Sequence, residues 1–91
     1  MDKELNEIKE RIASGDIDDG ILLLKQYIER FPESHDAYFI WGNACRRKED
    51  WQGALNAYQV AIDINPDSPA RLAYDAIQEV LAFYNKDMFN Q

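Results

Sequence analysis

The stretch SHDAYFIWGNACRRKEDWQGALNAYQVAIDINP, residues 34–66, decides the fold of this chain. Ser34 has the chemistry of a helix N-cap, and behind it Tyr38, Trp41 and Cys45 recur at helical spacing, with Ala37, Ile40 and Ala44 on the flank. Asp50 repeats the cap ahead of Trp51, Ala54, Leu55, Tyr58, Ala61 and Ile62, and Pro66 stops the second run because proline disfavours helix at the residue before it. A connection this short makes the two helices antiparallel. The helix that starts after Ser34 is apolar around more than half its girth, which predicts a position sandwiched between neighbours.

Working outward, Leu5, Ile8 and Ile12 predict a first helix ending near Ala13, and Ser14-Gly15-Asp16 supplies a stop followed by a cap. Asp16 opens a second helix carrying Ile17, Gly20, Ile21, Leu24, Tyr27, Ile28 and Phe31, closed by Pro32. Beyond Pro66, Asp67-Ser68-Pro69 places proline at the start of a fifth helix whose apolar residues Leu72, Ala73, Ala76, Ile77, Val80, Leu81 and Tyr84 recur about every four positions. No linker or low-complexity stretch separates these segments, so the expectation is a single domain.

Pro32 and Pro66 stand 34 positions apart, and residues 1–34 align with 35–68 chiefly in their second halves: Asp16 with Asp50, Gly20 with Ala54, Leu24 with Tyr58, Ile28 with Ile62. Within the second copy, Tyr38-x2-Trp41-Gly42-x2-Cys45, then Ala54-x3-Tyr58, then Pro66, resembles the tetratricopeptide pattern W-x2-L-G-x2-Y, A-x3-F, P, and 34 is that family's period. The resemblance implies an all-α, right-handed α-α superhelix of five antiparallel helices. Its parts are a degenerate repeat over 1–34, a complete repeat over 35–68, a capping helix over 69–84 and a tail over 85–91. Repeat one departs in its first helix, where Ile8 replaces the small residue and the apolar stripe is turned by one residue, about 100° on a helical wheel. Tyr27, in place of a small residue, is a second departure. Both suit an end of the stack, where repeats are atypical.

The composition limits what such a chain does. Ninety-one residues with 46% apolar content and eleven aromatic side chains support one small core. A net charge of -7 repels phosphate backbones and anionic lipid, so neither nucleic acid nor membrane is an expected partner. Cys45 is the single cysteine, which excludes an internal disulfide, and the acidic start is unlike a signal peptide; the expected location is cytoplasmic.

No constellation carries catalysis. Asp16-Ile17-Asp18-Asp19-Gly20 resembles a calcium loop, but an EF-hand needs glycine at the sixth position and glutamate at the twelfth, where Ile21 and Tyr27 stand. His35 and Cys45 lie ten residues apart, about 15 Å along a helix, too far for a nucleophile and its base. We expect no cofactor, no metal and no enzyme activity.

The resemblance instead implies binding of a partner protein or peptide. First helices of tetratricopeptide repeats line a concave groove, and the matching positions here are Asp36, Phe39, Asn43, Arg46 and Arg47, with Leu5 and Lys9 at groove positions of repeat one. An amide and two guanidiniums suit an acidic or C-terminal carboxylate partner. Arg46-Arg47-Lys48 has an equally direct structural reading, as cations opposing the negative end of a helix, and Phe39 reads equally well as core. A chaperone-tail carboxylate clamp would need lysine and asparagine where Leu5 and Lys9 stand. The expected state is a monomer or weak homodimer, and structural self-association is the alternative function. Met88 and Phe89 in the tail either fray, fold back on the fifth helix or occupy the groove.

Overall fold

In the computed structural model, the backbone is described for residues 2–89 and side chains for residues 2–83. Five helices follow one another: α1 (Lys3–Ala13), α2 (Ile17–Arg30), α3 (His35–Arg47), α4 (Trp51–Ile64) and α5 (Ala70–Phe89). No strand occurs among the described residues.

The caps explain most of the boundaries. The side chains of Ser34 and Asp50 accept from the backbone N–H of Ala37 and Gly53, three residues on. Asp2, unremarked in the sequence, does the same for Leu5 and also accepts from the Tyr27 hydroxyl, tying the start of α1 to α2. Asp16 makes no such bond, so α2 starts without the side-chain cap expected of it. The turn before it is closed by backbone instead: Gly15, at φ +111°, takes the left-handed conformation that a side chain resists, and its N–H reaches the carbonyl of Ile12. After α3 the same reversal falls on Glu49, at φ 61°, and the Asp50 N–H bonds back to the Cys45 carbonyl. A non-glycine residue there brings residues 49–51 back over the C-terminal end of α3.

Packing follows from the apolar stripes. Leu5, Ile8 and Ile12 of α1 meet Leu24 and Tyr27 of α2, and Ala37, Ile40 and Ala44 of α3 complete that cluster. A second cluster joins Cys45 of α3, Ala54, Leu55, Tyr58, Ala61 and Ile62 of α4, and Ala70 and Ile77 of α5. Trp41 is half-buried and packs against both. The helix after Ser34 is therefore sandwiched as its girth predicts, although burial is deepest on Ala37, Ile40 and Ala44 rather than on Tyr38 and Trp41.

Two close approaches set the helix pairs, and they use opposite partners. In the second pair the small residue is on the first helix: Gly42 faces the ring of Tyr58. In the first pair it is on the second helix: Gly20 faces Ile12. That exchange accommodates Ile8 where a small residue was expected and gives the turned stripe of α1 its complement. At the other end, α5 does not stop at Tyr84; its backbone is helical through Phe89, so residues 85–89 are not the non-helical tail expected. The side chains of Met88 and Phe89, for which fraying, folding back and occupying the groove were left open, lie outside the described residues.

Candidate partner-binding site

The geometry of the site begins with the tight α3–α4 crossing. Because Gly42 lets the ring of Tyr58 lie against α3, the phenol passes one residue further and its hydroxyl donates to Asn43 Oδ1. Tyr58 is fully buried and Asn43 half-buried, so the bond fixes which end of the amide is engaged. The carbonyl is taken and the Nδ2 hydrogens are directed away from the phenol. Burial pushes the Tyr58 hydroxyl above its usual range, and the nearby Arg46 guanidinium partly offsets that rise.

Asn43, Arg46 and Arg47 then border one open hollow of about 440 Å³ with Glu49 and Trp51. Arg46 is exposed and forms no ion pair among the described residues. Arg47 is exposed as well, but its Nη1 donates to the carbonyl of Ile12 at the end of α1. Both arginines are thus exposed, and Arg47 in addition links α3 to α1. Lys48, the third cation of the run, pairs with Asp18.

The other residues expected here are dispersed. Phe39 is half-buried, its ring 6.0 Å from that of Tyr58, and belongs to the packing of the second cluster. Leu5, at 2% exposure, lies inside the first cluster and is withdrawn from any surface. Its side chain points to α2 because the stripe of α1 is turned, and the residue offered as groove-lining is core. Lys9 is exposed on α1 outside the hollow. Trp51, Glu49 and Tyr58 were not anticipated as neighbours of the site. The signal for Trp51 and Glu49 was the short Lys48-Glu49-Asp50 link, whose reversal returns them to α3; for Tyr58 it was the hydroxyl, which a phenylalanine in the same place would lack.

On the opposite side of α3, Tyr38, Trp41, Cys45, Gly53, Ala57 and Val60 line a second crevice of about 340 Å³. The Lys25 ammonium sits 5.8 Å above the Trp41 ring there. Among the described residues no group of His, Cys, Asp or Glu is gathered closely enough to hold a metal ion, and no helix is long and apolar enough to cross a membrane.

A stack of antiparallel helix pairs at a 34-residue period, with a small residue at each crossing, defines a helical repeat protein. The comparison with known families makes the class specific: the tetratricopeptide repeat family matches residues 5–69, more than two thirds of the chain, and the protein belongs to that family. Its fold is similar to that of a Bacteroides fragilis protein solved by NMR in solution. The two share 48% identity at a TM-score of 0.87, over 100% of this chain and 92% of the other. No curated protein matches. Tetratricopeptide repeats in general mediate protein–protein interaction.

Proposed function

We propose that this protein is a non-catalytic scaffold that binds a partner polypeptide through the hollow at the C-terminal end of α3, seating an acidic side chain or a C-terminal carboxylate. The carrying observation is the Tyr58–Asn43 hydrogen bond beside Arg46. It holds an amide N–H pair and a guanidinium one helical turn apart on one face, donors matched to the two oxygens of a carboxylate. Trp51 at the rim offers an aromatic surface for the adjoining residue of the partner. In a chain of net charge -7, two arginines around this hollow against the one carboxylate of Glu49 favour an anionic segment at this spot over the rest of the surface. A buried, unpaired thiol at Cys45 fits a reducing location such as the cytoplasm.

Capture of partners from a lysate of the source cell, followed by mass spectrometry, names the sequence bound. Synthetic peptides from it, with a free or amidated C-terminus, then separate a terminal carboxylate from a side-chain one. Arg46→Glu is expected to weaken binding tenfold or more, about 1.4 kcal/mol, with a salt-sensitive wild-type affinity. Unchanged affinity in a folded Arg46→Glu variant would move the site to another face.

A further inference from the structure

We infer that the partner presents a basic side chain directly beside its carboxylate, seated against Glu49 and Trp51. This rests on the carboxylate reading proposed above and names the chemistry that accompanies it. The turn after α3 repeats the turn after α1, 34 positions on. Gly15 and Glu49 each donate to the carbonyl three residues back, at Ile12 and Arg46. Asp16 and Asp50 each donate to the carbonyl five residues back, at Arg11 and Cys45. The residue at the reversal has a positive φ in both, +111° at Gly15 and 61° at Glu49. Glycine takes that conformation freely, whereas a side chain there strains the backbone. Since glycine closes the first turn, backbone geometry gives no reason for glutamate in the second, and strain of this kind is kept where the side chain has a use.

That use does not lie within the described fold. Among the described residues the Glu49 carboxylate accepts no hydrogen bond and forms no ion pair, and it is exposed at the border of the hollow of about 440 Å³. The neighbouring cations are placed otherwise: Arg47 donates to Ile12, Lys48 pairs with Asp18, and Arg46 is left for the carboxylate of the partner. Trp51 borders the same hollow. No cation among the described residues stands over its ring, whereas Trp41 already carries the Lys25 ammonium. A carboxylate beside an indole ring suits a cation, as Arg46 and the Asn43 amide suit an anion. Both seats open on one hollow, so the ligand they fit carries the two charges a residue or so apart. A second acidic group next to the first would meet Glu49 instead, which disfavours runs of carboxylates.

Titration of the isotope-labelled full chain with acetylated tripeptides tests this, read by NMR at the Asn43 side-chain amide and the Trp51 indole N–H. Alanine-lysine-alanine and alanine-glutamate-alanine offer the carboxylate at a free C-terminus. Aspartate-lysine-alanine and aspartate-glutamate-alanine, both amidated, offer it on a side chain. In whichever form binds, the lysine peptide is expected to be about fivefold tighter than the glutamate peptide, a preference that fades as salt is added. Glu49→Gln should weaken the lysine peptide and tighten the glutamate one, and Glu49→Lys should reverse their order. Glu49→Gly should lose the preference while melting at or above the wild-type temperature, which a purely structural role for this side chain would not give. Carboxylate-dependent binding with no lysine preference overturns this inference alone, as does a preference that persists unchanged in Glu49→Gln and Glu49→Lys. If amidated alanine-lysine-alanine binds as well as the free acid and the aspartate peptides bind no better, or if Arg46→Glu changes nothing, the carboxylate reading falls and this inference with it. No shift at Asn43 or Trp51 with any peptide at millimolar concentration overturns both.

Discussion

Gly42 lies so close to Tyr58 that a Cβ built on the glycine would stand 2.3 Å from Cε1 of the ring. Tyr58 has no room to retreat, being fully buried with its hydroxyl held by Asn43. Gly42→Leu should therefore lower stability by about 1–3 kcal/mol, even against the roughly 1 kcal/mol of helix propensity gained by losing a glycine. For a domain of this size each kcal/mol moves the melting temperature by about 4–8 °C. A thermal melt of the variant at or above wild type would refute the crossing.

The first helix pair offers the converse experiment. A Cβ on Gly20 would fall 2.2 Å from Cγ1 of Ile12, close to the branch point of a stiff side chain rather than at a flexible end. Gly20→Ala alone should destabilise by about 1–3 kcal/mol. Shortening the opposing residue in the double variant Gly20→Ala with Ile12→Ala should cost less than the sum of the two single changes, because each removes the other's conflict. Strict additivity in urea melts would show that the two residues do not share a space.

How far the chain was readable depended on whether a feature was local. Helix stops at Pro32 and Pro66, the caps at Ser34 and Asp50, and the close crossing at Gly42 are written in neighbouring residues and were all legible. Three features were not, and each is a contact over long sequence separation. The bond from Tyr27 to Asp2 spans 25 positions, the reach of Arg47 goes 35 positions back to Ile12, and the bond from Tyr58 to Asn43 crosses between helices. Leu5 was misplaced for a related reason: aligning the two repeats residue by residue assumes that α1 presents the same face as α3, whereas the Gly20–Ile12 contact rotates it. Of the candidate site, Asn43 and Arg46 could be read from spacing on one helix. The side of the hollow built by Trp51 and Glu49 could not, because it depends on a left-handed residue in the link.

Cys45 is buried in the second cluster and carries no disulfide. Burial pushes its thiol above the usual value, with the Asp50 charge adding to the rise. Since the thiolate is the reacting form, the native chain should consume a thiol reagent slowly at neutral pH and rapidly in denaturant. Equal rates in the two conditions would place the side chain at the surface and rotate α3.

Alkaline stability should be set in part by Tyr27. Burial, and then the bond to Asp2, raise its pKa from 10.0 to about 12. The proton is thus bound more tightly in the folded state, so the contribution is complete below pH 10 and lost as pH climbs toward about 12. Urea midpoints measured across that range should fall with pH, and Tyr27→Phe should make the fall shallower. A slope unaltered by Tyr27→Phe would remove this residue from the account.

Arg46 and Arg47, adjacent in sequence, should separate in experiment. Arg47→Ala removes the donor to the Ile12 carbonyl and should lower stability by about 1 kcal/mol. Arg46→Ala should leave the melt within about 0.5 kcal/mol of wild type, as expected of an exposed side chain away from such ties. Identical melting shifts for the two variants would mean that Arg47 does not bridge α3 and α1.

Trp41 packs against both apolar clusters, and the helix that carries it supplies Ile40 and Ala44 to one and Cys45 to the other. A sequence laid out in 34-residue periods invites division at the Pro32 turn, yet such a cut would leave Leu5, Ile8, Ile12 and Leu24 without the side chains that close over them. The remaining piece would present the indole and Ile40 to water. Neither fragment retains a sealed interior. The pattern is modular as text but indivisible as a folding unit, and amide exchange deep in α3 should report opening of the whole molecule at once rather than of either repeat.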